Sequence, residues 1–188
     1  MSSNTKEVAR YLQENIDWKK FTRLVHSVGD QLDFKQYRFL KAYIMEKAVE
    51  FYSLGKLVYV SDIGCDFIIP EMNTNLEMKF TRSGAFKKNG KLRKTVQIIL
   101  FNGIGGNTTR LPDSFADFLM LCSSQGAVVF DKATLVRHSR IHGDKIYAVL
   151  PPSKGVTVCM LEKPEQTVEK RDFRESLDKM VTNLCMSV

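Results

Sequence analysis

Between residues 56 and 161 the chain carries eight short apolar runs separated by turn residues, and this pattern restricts its possible folds more than anything else in it. The runs are KLVYV (56–60), CDFIIP (65–70), LEMKFT (76–81), VQIILF (96–101), DFLMLC (117–122), GAVVF (126–130), KIYAVL (145–150) and VTVCML (156–161). Each has strand length, and most are rich in β-branched or aromatic residues. Turn residues rather than long helices join them, which predicts an antiparallel or mixed sheet. Ser123, Ser124, Gln125 and Gly126 read as a tight hairpin turn.

Helical spacing flanks this block on both sides. Over 33–54, Phe34, Tyr37, Leu40, Ile44, Ala48 and Phe51 recur every three or four residues, and Gly55 follows as a stop. The segments 6–14 and 18–28 also suit amphipathic helices, the second capped by Asp17. Helical spacing returns over 165–186 through Val168, Leu177, Met180, Val181 and Leu184. No fixed period or low-complexity linker divides the chain, so a single domain over 1–188 is expected. The fold class predicted is α+β, a central mixed β-sheet flanked by helices.

The formal net charge of +7 and pI near 9.2 favour an anionic partner such as nucleic acid or an acidic membrane surface. No apolar stretch approaches the roughly 20 residues needed to cross a bilayer, and MSSNTKEVAR carries no hydrophobic leader pattern. A soluble cytoplasmic protein is therefore expected. The four cysteines, Cys65, Cys122, Cys159 and Cys185, are dispersed and form no CxxC pair, which argues against a zinc knuckle or disulfide framework. His138 and His142 have the spacing of one helical turn, yet no third ligand stands near them.

Residues 61–80, SDIGCDFIIPEMNTNLEMKF, concentrate the chemistry. On a strand, Glu77 and Lys79 project from one face while Leu76, Met78 and Phe80 project from the other. A hairpin centred between Glu71 and Met72 sets Asp66 opposite Glu77, since the two numbers sum to 143. Directly opposite residues have Cβ atoms roughly 4.5 to 5.5 Å apart, within reach of one shared cation. Asn73, Thr74 and Asn75 are the stronger turn formers, however, and a turn centred on them would change the register. Two facing carboxylates on a half-buried sheet repel unless a cation neutralises them, and Mg²⁺ suits an all-oxygen donor set. Lys79 beside such a pair could position the attacking water and offset phosphate charge.

This arrangement resembles the PD-(D/E)xK nuclease superfamily, in which an aspartate on one strand is followed by Glu-x-Lys on the next. Asp66 and Glu77-Met78-Lys79 match that pattern, Cys65 replaces the family's usual proline, and Asp62 is a rival for the first metal ligand. The similarity spans roughly 40–131. It implies a restriction-endonuclease-like core, catalysis by Asp66, Glu77 and Lys79, and Mg²⁺ as cofactor. Acids on the helix preceding the motif assist metal binding in this superfamily, which makes Glu46 and Glu50 further candidate ligands.

Residues 78–112 contain no acid but carry Lys79, Arg82, Lys87, Lys88, Lys91, Arg93, Lys94 and Arg110, a one-sided run suited to phosphates flanking a scissile bond. Arg137, His138, Arg140, His142 and Lys145 form a second basic cluster, in which Arg137 or Arg140 could read a base or simply contact phosphate. The glycine-rich 102–107 segment lacks a Walker lysine and reads as a turn. The expectation is a Mg²⁺-dependent type II restriction endonuclease cutting double-stranded DNA as a homodimer. A junction or repair nuclease of the same superfamily, or a non-catalytic nucleic-acid-binding protein, are the alternatives.

Overall fold

The computed structural model describes residues 3–31, 38–62, 64–81, 86–88, 91–102 and 111–160. Three helices come first: α1 (Ser3–Asn15), α2 (Trp18–Gln31) and α3 (Arg38–Tyr52). Asp17 caps α2 as its position predicts, Oδ1 accepting from the Lys20 backbone N–H at 3.1 Å. The helix expected over 165–186 lies outside the described residues.

The strands fall in three sheets. β1 (Val58–Asp62), β2 (Cys65–Ile69), β3 (Thr74–Phe80), β7 (Phe118–Ser123), β8 (Gly126–Asp131) and β11 (Val156–Met160) form a six-stranded sheet in the order β1-β2-β3-β7-β8-β11. Its β3–β7 pair is parallel and its other pairs antiparallel, so the sheet is mixed. β6 (Val96–Asn102), β10 (Lys145–Leu150) and β9 (Ser139–His142) make a smaller antiparallel sheet, while β4 (Lys87–Lys88) and β5 (Lys91–Leu92) form a short hairpin. The class is thus α+β with a central mixed sheet flanked by helices.

Two cores explain the layering. One face of the large sheet, through Phe67, Leu76, Met78, Met120 and Val129, packs against Val8, Leu12, Phe21, Ile44, Ala48 and Val49 of the three helices. The other face, through Leu119, Leu121, Val128 and Phe130, packs against Ile98, Leu100, Ile146 and Ala148 of the small sheet and Leu135 of α4 (Lys132–His138). β7 and β8 are buried on both faces, which is why their sequences are near-continuous apolar runs rather than alternating ones.

Two local expectations change. The apolar recurrence along α3 marks its buried side only in part: Ile44 and Ala48 are buried, together with Met45 and Val49, while Leu40 and Phe51 are exposed. The helix is apolar over so much of its circumference that spacing alone cannot select the packed face. His138 ends α4 and His142 lies at the end of β9, so the two imidazoles do not share a helical turn.

The β7–β8 turn expected at Ser123 to Gly126 forms with Ser123 paired to Gly126, and Gly126 also pairs with Met160 of β11. Its φ is +136°, and a Cβ there would stand 2.0 Å from the Cys159 carbonyl oxygen. Gly143, φ +61°, faces open space. Gly126→Ala is therefore expected to lower unfolding stability by about 2 kcal/mol or more, because backbone must move, whereas Gly143→Ala costs about 1 kcal/mol. Urea denaturation of the two variants beside the parent checks the contrast.

Candidate active site

The β2–β3 hairpin sets the geometry. Its ladder pairs Phe67 with Leu76, Ile68 with Asn75 and Ile69 with Thr74. Every pair sums to 143, so one further step brings Asp66 opposite Glu77. The connection is a 3₁₀ turn over Pro70–Met72, closed by Asn73 in the left-handed region, whose N–H donates to the Pro70 carbonyl at 3.2 Å. Asn73 is thus a turn residue, as its type suggests, yet the turn remains centred between Glu71 and Met72. Thr74 and Asn75 belong to the strand, where the Thr74 hydroxyl and the Asn75 N–H meet Asp117 Oδ2 at 3.2 and 3.4 Å.

Strand alternation then divides β3. Leu76 and Met78 enter the helix-side core, and Glu77 and Lys79 lie on the face toward the small sheet, beside Leu119 and Leu121 of β7. Lys79 Nζ contacts Glu77 Oε1. Asp66, on the same face from β2, accepts the Met78 backbone N–H on Oδ2 at 2.7 Å. The three side chains named from the sequence therefore converge.

Glu77 is only 3% exposed, and its Oε2 is buried without a hydrogen-bond partner. Burial raises its pKa to about 7; Asp66 and Glu46 push the same way, and Lys79 opposes them. Burial also raises Asp66, against the Met78 N–H and Lys79. Glu46, from α3, is raised by burial and by Asp66, and its Oε2 accepts from the Tyr59 hydroxyl at 3.0 Å. Three acids thus feel one another's charge around one lysine.

The remaining candidates divide. Glu50, one turn beyond Glu46, is engaged elsewhere: Oε1 accepts from the Tyr59 N–H at 3.0 Å and Oε2 meets Lys47 Nζ at 2.9 Å. Asp62 ends β1 with its backbone opposite Cys65, adjacent to Asp66 in the chain. Arg82 and Arg110 lie outside the described residues. Lys87, Lys88 and Lys91 occupy the β4–β5 hairpin, followed by the exposed Arg93 and Lys94. That acid-free hairpin joins β3, which bears Glu77 and Lys79, to β6 of the small sheet. In the second basic cluster Arg137 and His138 end α4, while Arg140 lies on β9 of the small sheet, paired with Tyr147.

Exposure changes stepwise across this face. Val58 and Ile68, paired on β1 and β2, are 40% and 37% exposed, whereas Leu119 beyond Glu77 is fully buried. Glu77 stands between these more exposed positions and the packed centre of the sheet. Tyr59, which positions both Glu46 and Glu50, had no sequence signal beyond its place in an alternating run.

Among the described residues no three His, Cys, Asp or Glu side chains are already gathered as a metal cage. Lys79 holds one Glu77 oxygen and the Met78 N–H holds one Asp66 oxygen. The unpartnered Glu77 Oε2 and the all-carboxylate donor set nonetheless fit a hard divalent cation. No protein-family model, curated protein or solved structure matches the chain.

A raised carboxylate pKa binds its proton more tightly in the folded state, so stability is fully present below the unfolded value of 4.5 and is lost as pH rises through about 7. That loss is on the order of 3 kcal/mol for Glu77. Glu77→Gln is expected to match the parent at about pH 4.5 and to exceed it in stability at about pH 8. Denaturant titrations of both proteins across this range check it, and identical pH profiles would contradict it.

Proposed function

We propose that this chain is a Mg²⁺-dependent DNA endonuclease of the type II restriction class, acting on double-stranded DNA with Asp66, Glu77 and Lys79. The observation that carries the reading is the meeting of these three side chains on one sheet face, with a buried Glu77 oxygen left unpartnered. The resemblance of their spacing to the PD-(D/E)xK pattern supports it, as does the acid-free basic segment that follows β3.

Asp66 and Glu77 would hold the ion, with Glu46 alongside and Asp62 as the rival first ligand. When bound, such an ion neutralises phosphate charge and acidifies a water. Lys79 acts next to them, holding and polarising the attacking water and offsetting charge that develops on the phosphate oxygens. Glu77 must give up its proton to hold the ion, so Mg²⁺ affinity rises as pH rises through about 7. Lys87, Lys88, Lys91, Arg93 and Lys94 grip the flanking phosphates, together with Arg82, Arg137, His138 and Arg140. A two-fold homodimer brings one site to each strand of a short palindrome, and such an enzyme meets its substrate in the cytoplasm. Among the described residues no helix is long and apolar enough to cross a membrane.

A second reading has one observation in its favour. The direct Lys79–Glu77 contact is also what a non-catalytic, basic nucleic-acid-binding protein would use to balance a buried charge. Incubation with plasmid separates the two: discrete bands that require Mg²⁺ and vanish with EDTA are expected. Glu77→Ala and Lys79→Ala are expected to reduce cutting by about 100-fold or more while DNA affinity changes by less than about threefold. Binding without cutting by the parent would favour the non-catalytic reading, and cleavage confined to branched DNA would favour a junction or repair nuclease.

A further inference from the structure

The small sheet has an inner face and an outer one. Ile98, Leu100, Ile146, Ala148 and Leu150 are buried in the second core. Alternation therefore turns the intervening residues outward, and the pairing shows how they line up. Tyr147 stands between Ile99 of β6 and Arg140 of β9, giving a row across all three strands, and Lys145 pairs with His142 in a neighbouring row. Ile99 is 44% exposed, Arg140 and His142 are exposed, and Tyr147 and Lys145 are half-buried.

The cations on this face are Arg140 and Lys145, and the exposed Asp144 sits in the turn between β9 and β10. Between Asp131 and Glu162 the chain holds a single acid, Asp144, against Lys132, Arg137, Arg140, Lys145 and Lys154. β6 belongs to the acid-free stretch. Among the described residues no carboxylate pairs with Arg140 or Lys145. An aromatic and an aliphatic side chain thus sit at the centre of an exposed sheet with cations along its border.

We propose that this outer face, centred on the Ile99–Tyr147–Arg140 row, binds a single strand of DNA. An unpaired strand presents both things the face can hold: a π-surface for Tyr147 and Ile99, and phosphates for Arg140, His142 and Lys145. A duplex presents only phosphates, because its base faces are stacked inside, and would leave the apolar centre of the row facing charge. The surface is separate from the candidate active site. The inner face of the same sheet packs on Leu119 and Leu121, the immediate neighbours of Glu77 and Lys79. A strand on the outer face is therefore a flank of the DNA being cut, about one sheet spacing (~10 Å) or more from the carboxylates. The proposal rests on the endonuclease reading for its choice of DNA, and it moves the substrate class toward duplex that adjoins an unpaired stretch.

Binding to a labelled single strand of about a dozen nucleotides and to a duplex of equal length, by fluorescence anisotropy of the full chain in EDTA, tests this without cleavage. Tyr147→Ala is expected to weaken single-strand binding by about fivefold or more, with Tyr147→Phe retaining it and duplex affinity unchanged. The Arg140→Ala, Lys145→Ala pair is expected to flatten the dependence of log affinity on log salt by about 1.4 for the single strand. Equal losses for both DNAs, no loss on Tyr147→Ala, or a parent that binds duplex alone would each overturn the proposal. Far-UV circular dichroism and melting of every variant separate a folding defect from a contact. Because EDTA suppresses cutting, a Tyr147 effect in a parent that never cuts plasmid would refute the endonuclease reading and leave this surface standing. Cutting without a Tyr147 effect would do the reverse.

Discussion

A carboxylate withdrawn from water on a central strand is the constraint around which this molecule is arranged. Glu77 sits between Leu76 and Met78, both core residues, and next to the fully buried Leu119. An ionised carboxylate in that setting is costly unless paired, so its surroundings decide its chemistry. Lys79, two residues along the same face, supplies one opposite charge, and Asp66 and Glu46 add like charge. One ammonium cannot balance three acids, and the group is left short of positive charge on the side where Glu77 Oε2 has no partner.

The layering of the fold places this deficit at a boundary. The small sheet covers β7 and β8, whereas Val58 and Ile68 of β1 and β2 are exposed, so the acids lie between a packed and a more open part of the same face. The strand that carries Glu77 and Lys79 leads straight into the basic β4–β5 hairpin, and that hairpin leads into β6. The acids, the basic hairpin and the small sheet are therefore consecutive in the chain.

Legibility in the sequence followed the range of the interactions involved. Alternation is local, so Phe67, Ile69 and Leu76 were readable as core positions, but two turn centres stayed open and the 3₁₀ turn over Pro70–Met72 is what fixes the β2–β3 register. Strand positions and the Asp17 cap were readable for the same reason. The packed side of α3 was not, since Leu40 and Phe51 are as apolar as Ile44 and Val49 and only the neighbouring layer distinguishes them. Glu46 and Glu50 were equivalent as helix-face acids until Tyr59 engaged one by its hydroxyl and the other by its backbone. The His138 and His142 spacing was ambiguous because a helix end and a strand start fall between them.

By itself, then, the order of residues determined the α+β class, the strand block, the hairpin between the strands that carry Asp66 and Glu77, and the one-sided basic segments, all of which follow from periodicity, turn chemistry and charge counted along the chain. Tertiary structure alone decided that β3 and β7 run parallel, that the small sheet shields one flank of Glu77, and that Glu46 rather than Glu50 joins the acids. Those features depend on contacts between residues distant in sequence. Their energies come from desolvation and packing, which a local pattern does not encode.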